Sequence, residues 1–155
     1  MSERRFHFRL GSHHPAPDRV STDLRVELLD ENGAWQLQIP SLEMPGFRIF
    51  LLSLLLCQHF YLVANARERG LPLQQVDGEF TVTTGADWIL RRVDGTFRLR
   101  LDPAATAEER RRADAAAIDF IAERMKLCPV SRNLPSDVAK AVVVRVEEGG
   151  GECPA

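Results

Sequence analysis

A chain of 155 residues is long enough to bury a real hydrophobic core as one domain, and its 20 basic and 22 acidic residues leave a net charge of −2. No face is given over to phosphates, so nucleic-acid binding is not expected. Three cysteines, with no signal-peptide pattern near Met1, lead us to expect a cytoplasmic protein with free thiols rather than a disulfide framework.

Residues 4–10, Arg-Arg-Phe-His-Phe-Arg-Leu, alternate polar and apolar side chains and suit a half-buried strand. Residues 11–19, GSHHPAPDR, read as a loop. His13 and His14 have no third ligand at metal-binding spacing, so they are expected to be solvated, with no metal site. Asp23–Leu29 and Ala34–Ile39 predict two strands joined at Asn32-Gly33, a pair that adopts the positive φ angles of a tight hairpin. Trp35, Leu37 and Ile39 alternate with glutamines, as one buried sheet face requires.

Gly46–Pro72 is the most apolar stretch. From Ile49 to Cys57 only Ser53 is polar, and Arg67-Glu68-Arg69, Gly70 and Pro72 close a helix expected to be buried nearly all round. Arg48, Gln58, His59 and Asn65 interrupt its ends. It therefore reads as a core helix, shorter than the roughly 20 apolar residues of a bilayer span, with no membrane partner. His59 lies about 200° around the helix from Cys57, and is a polar helix or subunit contact rather than a general base.

Val76–Thr83 then predicts a strand, and Trp88–Val93 with Thr96–Leu101 a second hairpin around Asp94-Gly95. Thr106-Ala107-Glu108-Glu109 is a capping box that opens a second helix, reaching to about Leu127. Ala113, Ala117, Phe120 or Ile121, Met125 and Cys128 fall on one face of it. Pro129 disfavours helical geometry at Cys128, so the helix turns or breaks there. Ala141–Val146 is a β-branched final strand. Strands, helix, strands, helix and strand make an α+β class. One domain is expected over residues 1–148, with a flexible glycine-rich tail over 149–155 that carries Cys153 as an incidental thiol.

By composition alone Cys57 reads as a small hydrophobe in a leucine-rich helix. Cys128 has more polar company in Ser131 and Arg132, and Arg132 is placed to support negative charge on either sulfur. The run Cys57-Gln-His-Phe-Tyr-Leu-Val-Ala-Asn-Ala-Arg-Glu-Arg-Gly-Leu-Pro72-Leu73 resembles the cysteine-bearing central helix of the OsmC/Ohr family. Cys128-Pro129-Val130-Ser131-Arg132-Asn133-Leu134 resembles that family's second cysteine motif, and the likeness covers roughly residues 40–146.

The resemblance implies an OsmC-like fold, with antiparallel sheets wrapped around two main helices in an intertwined homodimer. It implies a thiol peroxidase for organic hydroperoxides. Cys57 would be the attacking thiolate, Cys128 would resolve its sulfenic acid as a Cys57–Cys128 disulfide, and an external dithiol, lipoyl-type in the Ohr branch, would reduce that bond. No cofactor is required. Where the family usually carries a Pro-x-Glu-Leu-like string, this chain has Pro45-Gly46-Phe47-Arg48. Arg19, Arg48 and Arg132 are the candidates for thiolate support. The altered helix entrance motivates a second expectation, a non-catalytic dimer that binds an apolar or electrophilic small molecule.

Overall fold

The computed structural model describes residues 2–147, so the expected tail and Cys153 lie outside the described residues. Ten elements follow in order: β1 (Arg4–His13), β2 (Thr22–Leu29), β3 (Trp35–Leu37), α1 (Gly46–Glu68), β4 (Leu73–Thr84), β5 (Leu90–Leu101), α2 (Ala107–Arg111), α3 (Ala115–Met125), α4 (Pro129–Arg132) and β6 (Ala139–Glu147). The strands form one six-stranded sheet in the order β3-β2-β1-β4-β5-β6. Every pairing is antiparallel except β5 with β6, which run parallel. A parallel neighbour needs a crossover, and α2, α3 and α4 supply it. The α+β class stands.

One face of the sheet carries Phe8, Leu10, Val76, Phe80, Val82, Val93, Phe97, Leu99 and Val144, all buried. Against it lie Leu51, Leu52, Leu54, Leu55 and Leu62 of α1 and Ala117, Ile121 and Met125 of α3. Two strand glycines let α1 and the aromatic side chains approach closely. Phe97 is the cross-strand partner of Gly78, and Phe80 that of Gly95. A Cβ on Gly95 would sit 3.0 Å from the Phe97 ring and 3.1 Å from Gln58 Oε1, and one on Gly78 would sit 3.0 Å from the Phe97 ring. This corrects the expected hairpin at Asp94-Gly95. That glycine serves close packing, not a turn, and β5 runs straight through it. The true β4–β5 turn is Gly85–Ile89, closed by Gly85 N–H to the Ile89 carbonyl at 3.0 Å, with Trp88 at φ +68°.

The second helix is also divided. The capping box at Thr106 and Glu109 is present, but α2 stops at Arg111. Asp114 adopts an extended backbone and its carboxylate accepts from Ala117 N–H, which makes it the N-cap of a new helix. The first hairpin forms as expected, with Gly33 at φ +79° and Asp30 Oδ1 accepting from the amides of Asn32 and Ala34. The buried face expected for β3 does not: Leu37 and Ile39 are 49% and 71% exposed, because β3 is a three-residue edge strand that no element among the described residues covers.

Helix α1 spans 23 residues and is, by length and composition alone, long and apolar enough to cross a membrane, a test that a core helix also passes. It is not buried all round. The stripe Ile49, Phe50, Phe60 and Ala64 lies open, with Phe60 68% exposed.

Candidate functional site

Steps of three and four residues place Phe50, Ser53, Cys57 and Phe60 on one side of α1. Against that side packs α4, the single turn that follows Cys128. Pro129 occupies the first helical position, where its missing N–H costs nothing, and it holds Cys128 extended at φ −59°, ψ 142°. Cys128 is thereby the N-cap, and its sulfur accepts a hydrogen bond from Ser131 N–H at 3.3 Å.

Both cysteines are free thiols. They are not equivalent. Cys57 is half-buried, whereas Cys128 is sealed from solvent. Burial first, and then the neighbouring Cys57 thiol, push the Cys128 thiol up to about 11. Cys128 therefore keeps its proton at neutral pH and can donate it to a neighbouring sulfur. Where α4 meets α1 is a largely apolar cavity of about 460 Å³, with Phe50 and Ser53 on one wall and Val130, Leu134 and Pro135 on the other; neither cysteine lines it.

The three arginines considered for thiolate support lie elsewhere. Arg19, in the β1–β2 loop at φ +58°, pairs with Asp102 at 3.0 Å and donates to the His14 carbonyl at 3.4 Å. It lines a polar cavity with Ala64 and Arg67, the former seven residues beyond Cys57 and so roughly 10 Å farther along the helix. Arg48 faces a groove with Trp88 and the β2–β3 hairpin. Arg132 is exposed at the end of α4. Among the described residues, no arginine or lysine side chain forms a hydrogen bond with either sulfur. Lys140 Nζ donates to the Ser131 carbonyl at 2.9 Å.

On the opposite side of α1 is a polar cluster that the sequence did not reveal. Ser12 Oγ lies 2.8 Å from Nε2 of both His14 and His59, and all three residues are buried. His14 Nδ1 donates to the Arg19 carbonyl at 3.2 Å, which leaves its Nε2 to accept from the serine hydroxyl. His59 Nε2–H then donates to Ser12. Burial, reinforced by the neighbouring His14, pushes His59 down to about 4; burial also lowers His14, partly opposed by its bond to the Arg19 carbonyl. His59 is thus a buried helix–sheet contact, and the expected solvation of His14 is corrected. Of the His13-His14 pair, His13 alone is exposed. The signal was present: Phe8, Leu10, Ser12 and His14 continue one period-two series beyond the glycine at position 11. Among the described residues, no group of three or more His, Cys, Asp or Glu side chains is arranged to hold a metal ion.

Neither a protein-family model nor a curated protein matches the chain. Solved structures do. An osmotic stress induced and detoxification response protein from Psychrobacter arcticus 273-4 superposes with a TM-score of 0.51 at 16% identity, over 79% of this chain and 88% of that one. The chain has the OsmC-like fold. An OsmC-like hydroperoxide resistance protein from Jannaschia sp. CCS1 aligns at 14% identity and a TM-score of 0.47, covering 84% of this chain and 86% of that one. An OsmC-like protein from Mycoplasma pneumoniae gives 14% identity and 0.44, over 79% and 87%. The long helix of this fold is α1, and Cys128 stands in the loop that opens α4.

Proposed function

We propose that the protein reduces organic hydroperoxides through its two apposed cysteines. The observation that supports this reading is that Cys57, about seventy positions earlier in the chain, is near enough to Cys128 to raise its thiol, with α1 packed against α4. The Cys57 thiolate, the more accessible sulfur, attacks the terminal peroxide oxygen. The O–O bond breaks, the alkoxide takes a proton and leaves as alcohol, and Cys57 becomes a sulfenic acid. The Cys128 sulfur then attacks Cys57, water leaves, and an intramolecular disulfide forms. An external dithiol, such as a lipoylated protein, takes up the oxidation and restores both thiols. The apolar cavity where α4 meets α1 suits the hydrocarbon part of a fatty or aryl hydroperoxide. A cytoplasmic setting would keep both thiols reduced between turnovers.

A homodimer completes the reading, with the open stripe of α1 as the surface that a second copy covers.

One stoichiometric dose of cumene hydroperoxide, followed by non-reducing mass spectrometry, tests the proposal. The expected product is lighter by two hydrogens and joins the peptides of Cys57 and Cys128. Unchanged thiols would remove the enzymatic claim.

A second reading, a non-catalytic dimer that binds an apolar or electrophilic small molecule, is favoured by the absence of a cation at either sulfur among the described residues. Slow alkylation of Cys57 at neutral pH would support it, and rapid pH-dependent alkylation would count against it.

A further inference from the structure

Away from the cysteines, a groove of about 420 Å³ opens between the start of β1, the β2–β3 hairpin, the first turn of α1 and the β4–β5 turn. Its walls are of two kinds. Phe6, Leu28 and Trp88 are apolar, while Arg4 and Arg48 present guanidinium groups. Arg4 stacks on the Trp88 ring at 4.2 Å, which occupies its flat face and leaves its N–H edge uncommitted. Among the described residues, no carboxylate lies within ion-pair distance of Arg4 or Arg48.

The carboxylates of the groove are committed or turned to solvent. Asp30 already accepts from the amides of Asn32 and Ala34 and from the Gln36 side chain. Glu31 is exposed. Arg5, the third guanidinium here, pairs with Glu3 at 3.5 Å. Trp88, carried at φ +68° in the Gly85–Ile89 turn, packs edge-on against Phe47 at 5.5 Å, which fixes its ring in the wall of the groove.

We propose that this groove binds a small carboxylate with an apolar body, of the size of a short-chain or aryl acid. The carboxylate pairs with Arg48 and the free edge of Arg4, and the hydrocarbon lies against Phe6, Leu28 and Trp88. A bare inorganic anion would leave the apolar walls unfilled, and a neutral hydrocarbon would leave the guanidinium groups unpaired. Arg48 is nine residues before Cys57, roughly 13 Å along the helix and half a turn around it, so the site does not depend on the peroxidase reading.

Trp35→Phe leaves Trp88 as the reporter, since the chain has two tryptophans. Its emission would be followed during titration with hexanoate, 1-hexanol and inorganic phosphate, with calorimetry on the unaltered protein as a second readout. Hexanoate is expected to bind saturably and at least tenfold more tightly than the other two. Arg48→Gln should weaken it tenfold or more with the unfolding midpoint unchanged, while Arg145→Gln on β6 should not. The proposal is overturned if hexanoate binds no tighter than 1-hexanol, if phosphate binds as tightly as hexanoate, or if folded Arg48→Gln keeps full hexanoate affinity.

Discussion

The Ser12–His14–His59 cluster makes stability depend on pH, and the sign follows from burial. Burial holds His59 down to about 4 in the folded chain against its ordinary value of 6.5, so between those values the unfolded chain binds the extra proton. The stabilisation is complete above about pH 6.5 and is lost as the pH falls toward 4, an effect of about 3 kcal/mol. His14, also lowered, acts in the same direction. Urea midpoints should therefore drop between pH 7 and pH 4.5, and His59→Gln should flatten most of that slope. Ser12→Ala strands the His59 N–H in the core and should cost about 1–3 kcal/mol at pH 7, read from the same denaturation curves. The cysteines give a second residue-scale expectation. Cys57→Ser should abolish hydroperoxide turnover and Cys153→Ser should leave it intact. Cys128→Ser should let a Cys57 sulfenic acid accumulate, detectable by dimedone labelling, with no intramolecular disulfide.

Among the elements, α1 sits close to the sheet because β4 and β5 are bare where it crosses. Gly78 and Gly95 each face a phenylalanine across the β4–β5 ladder, so the rings fill the space that two side chains would occupy. Gly95→Ala would bring a methyl to 3.0 Å from the Phe97 ring, which is fully buried and has no room to withdraw. A loss of about 1–3 kcal/mol is expected, measured by thermal or urea unfolding. The break between α2 and α3 depends on one side chain. Asp114→Ala removes the cap that begins α3 and should cost about 1 kcal/mol in the same assay, a modest change because the buried face of Ala117, Ile121 and Met125 still holds the helix.

For the whole molecule, the proposed homodimer would cover the open stripe of α1, where Phe60 is 68% exposed, while Ile39 and Leu37 stand 71% and 49% exposed at the β3 edge. If a second copy covers α1, Phe60→Glu should shift sedimentation toward the monomer while far-ultraviolet circular dichroism stays unchanged. A wild-type protein that sediments as a monomer at micromolar concentration would remove the homodimer from the proposal.

Local patterns by themselves determined much of this protein. The alternation in β1 and β4, the Asp30–Gly33 turn, the Thr106 capping box and the length of α1 are each written in neighbouring residues, because hydrogen bonding and steric preference within a few positions decide them. The two cysteine motifs were legible in the same way, as short strings. Tertiary packing decided the rest. Asp94-Gly95 has the composition of a turn, and only the approach of Gln58 and Phe97 makes it strand. His14 looks like loop, and only the pairing of β1 with both β2 and β4 draws it inside to meet Ser12 and His59. Arg19 and Arg48 are free choices along the chain, yet the fold sends one to Asp102 and the other to the Trp88 groove, both away from the sulfur of Cys57. Long-range contacts of this kind depend on which surfaces pack together, and no local window of sequence contains that information.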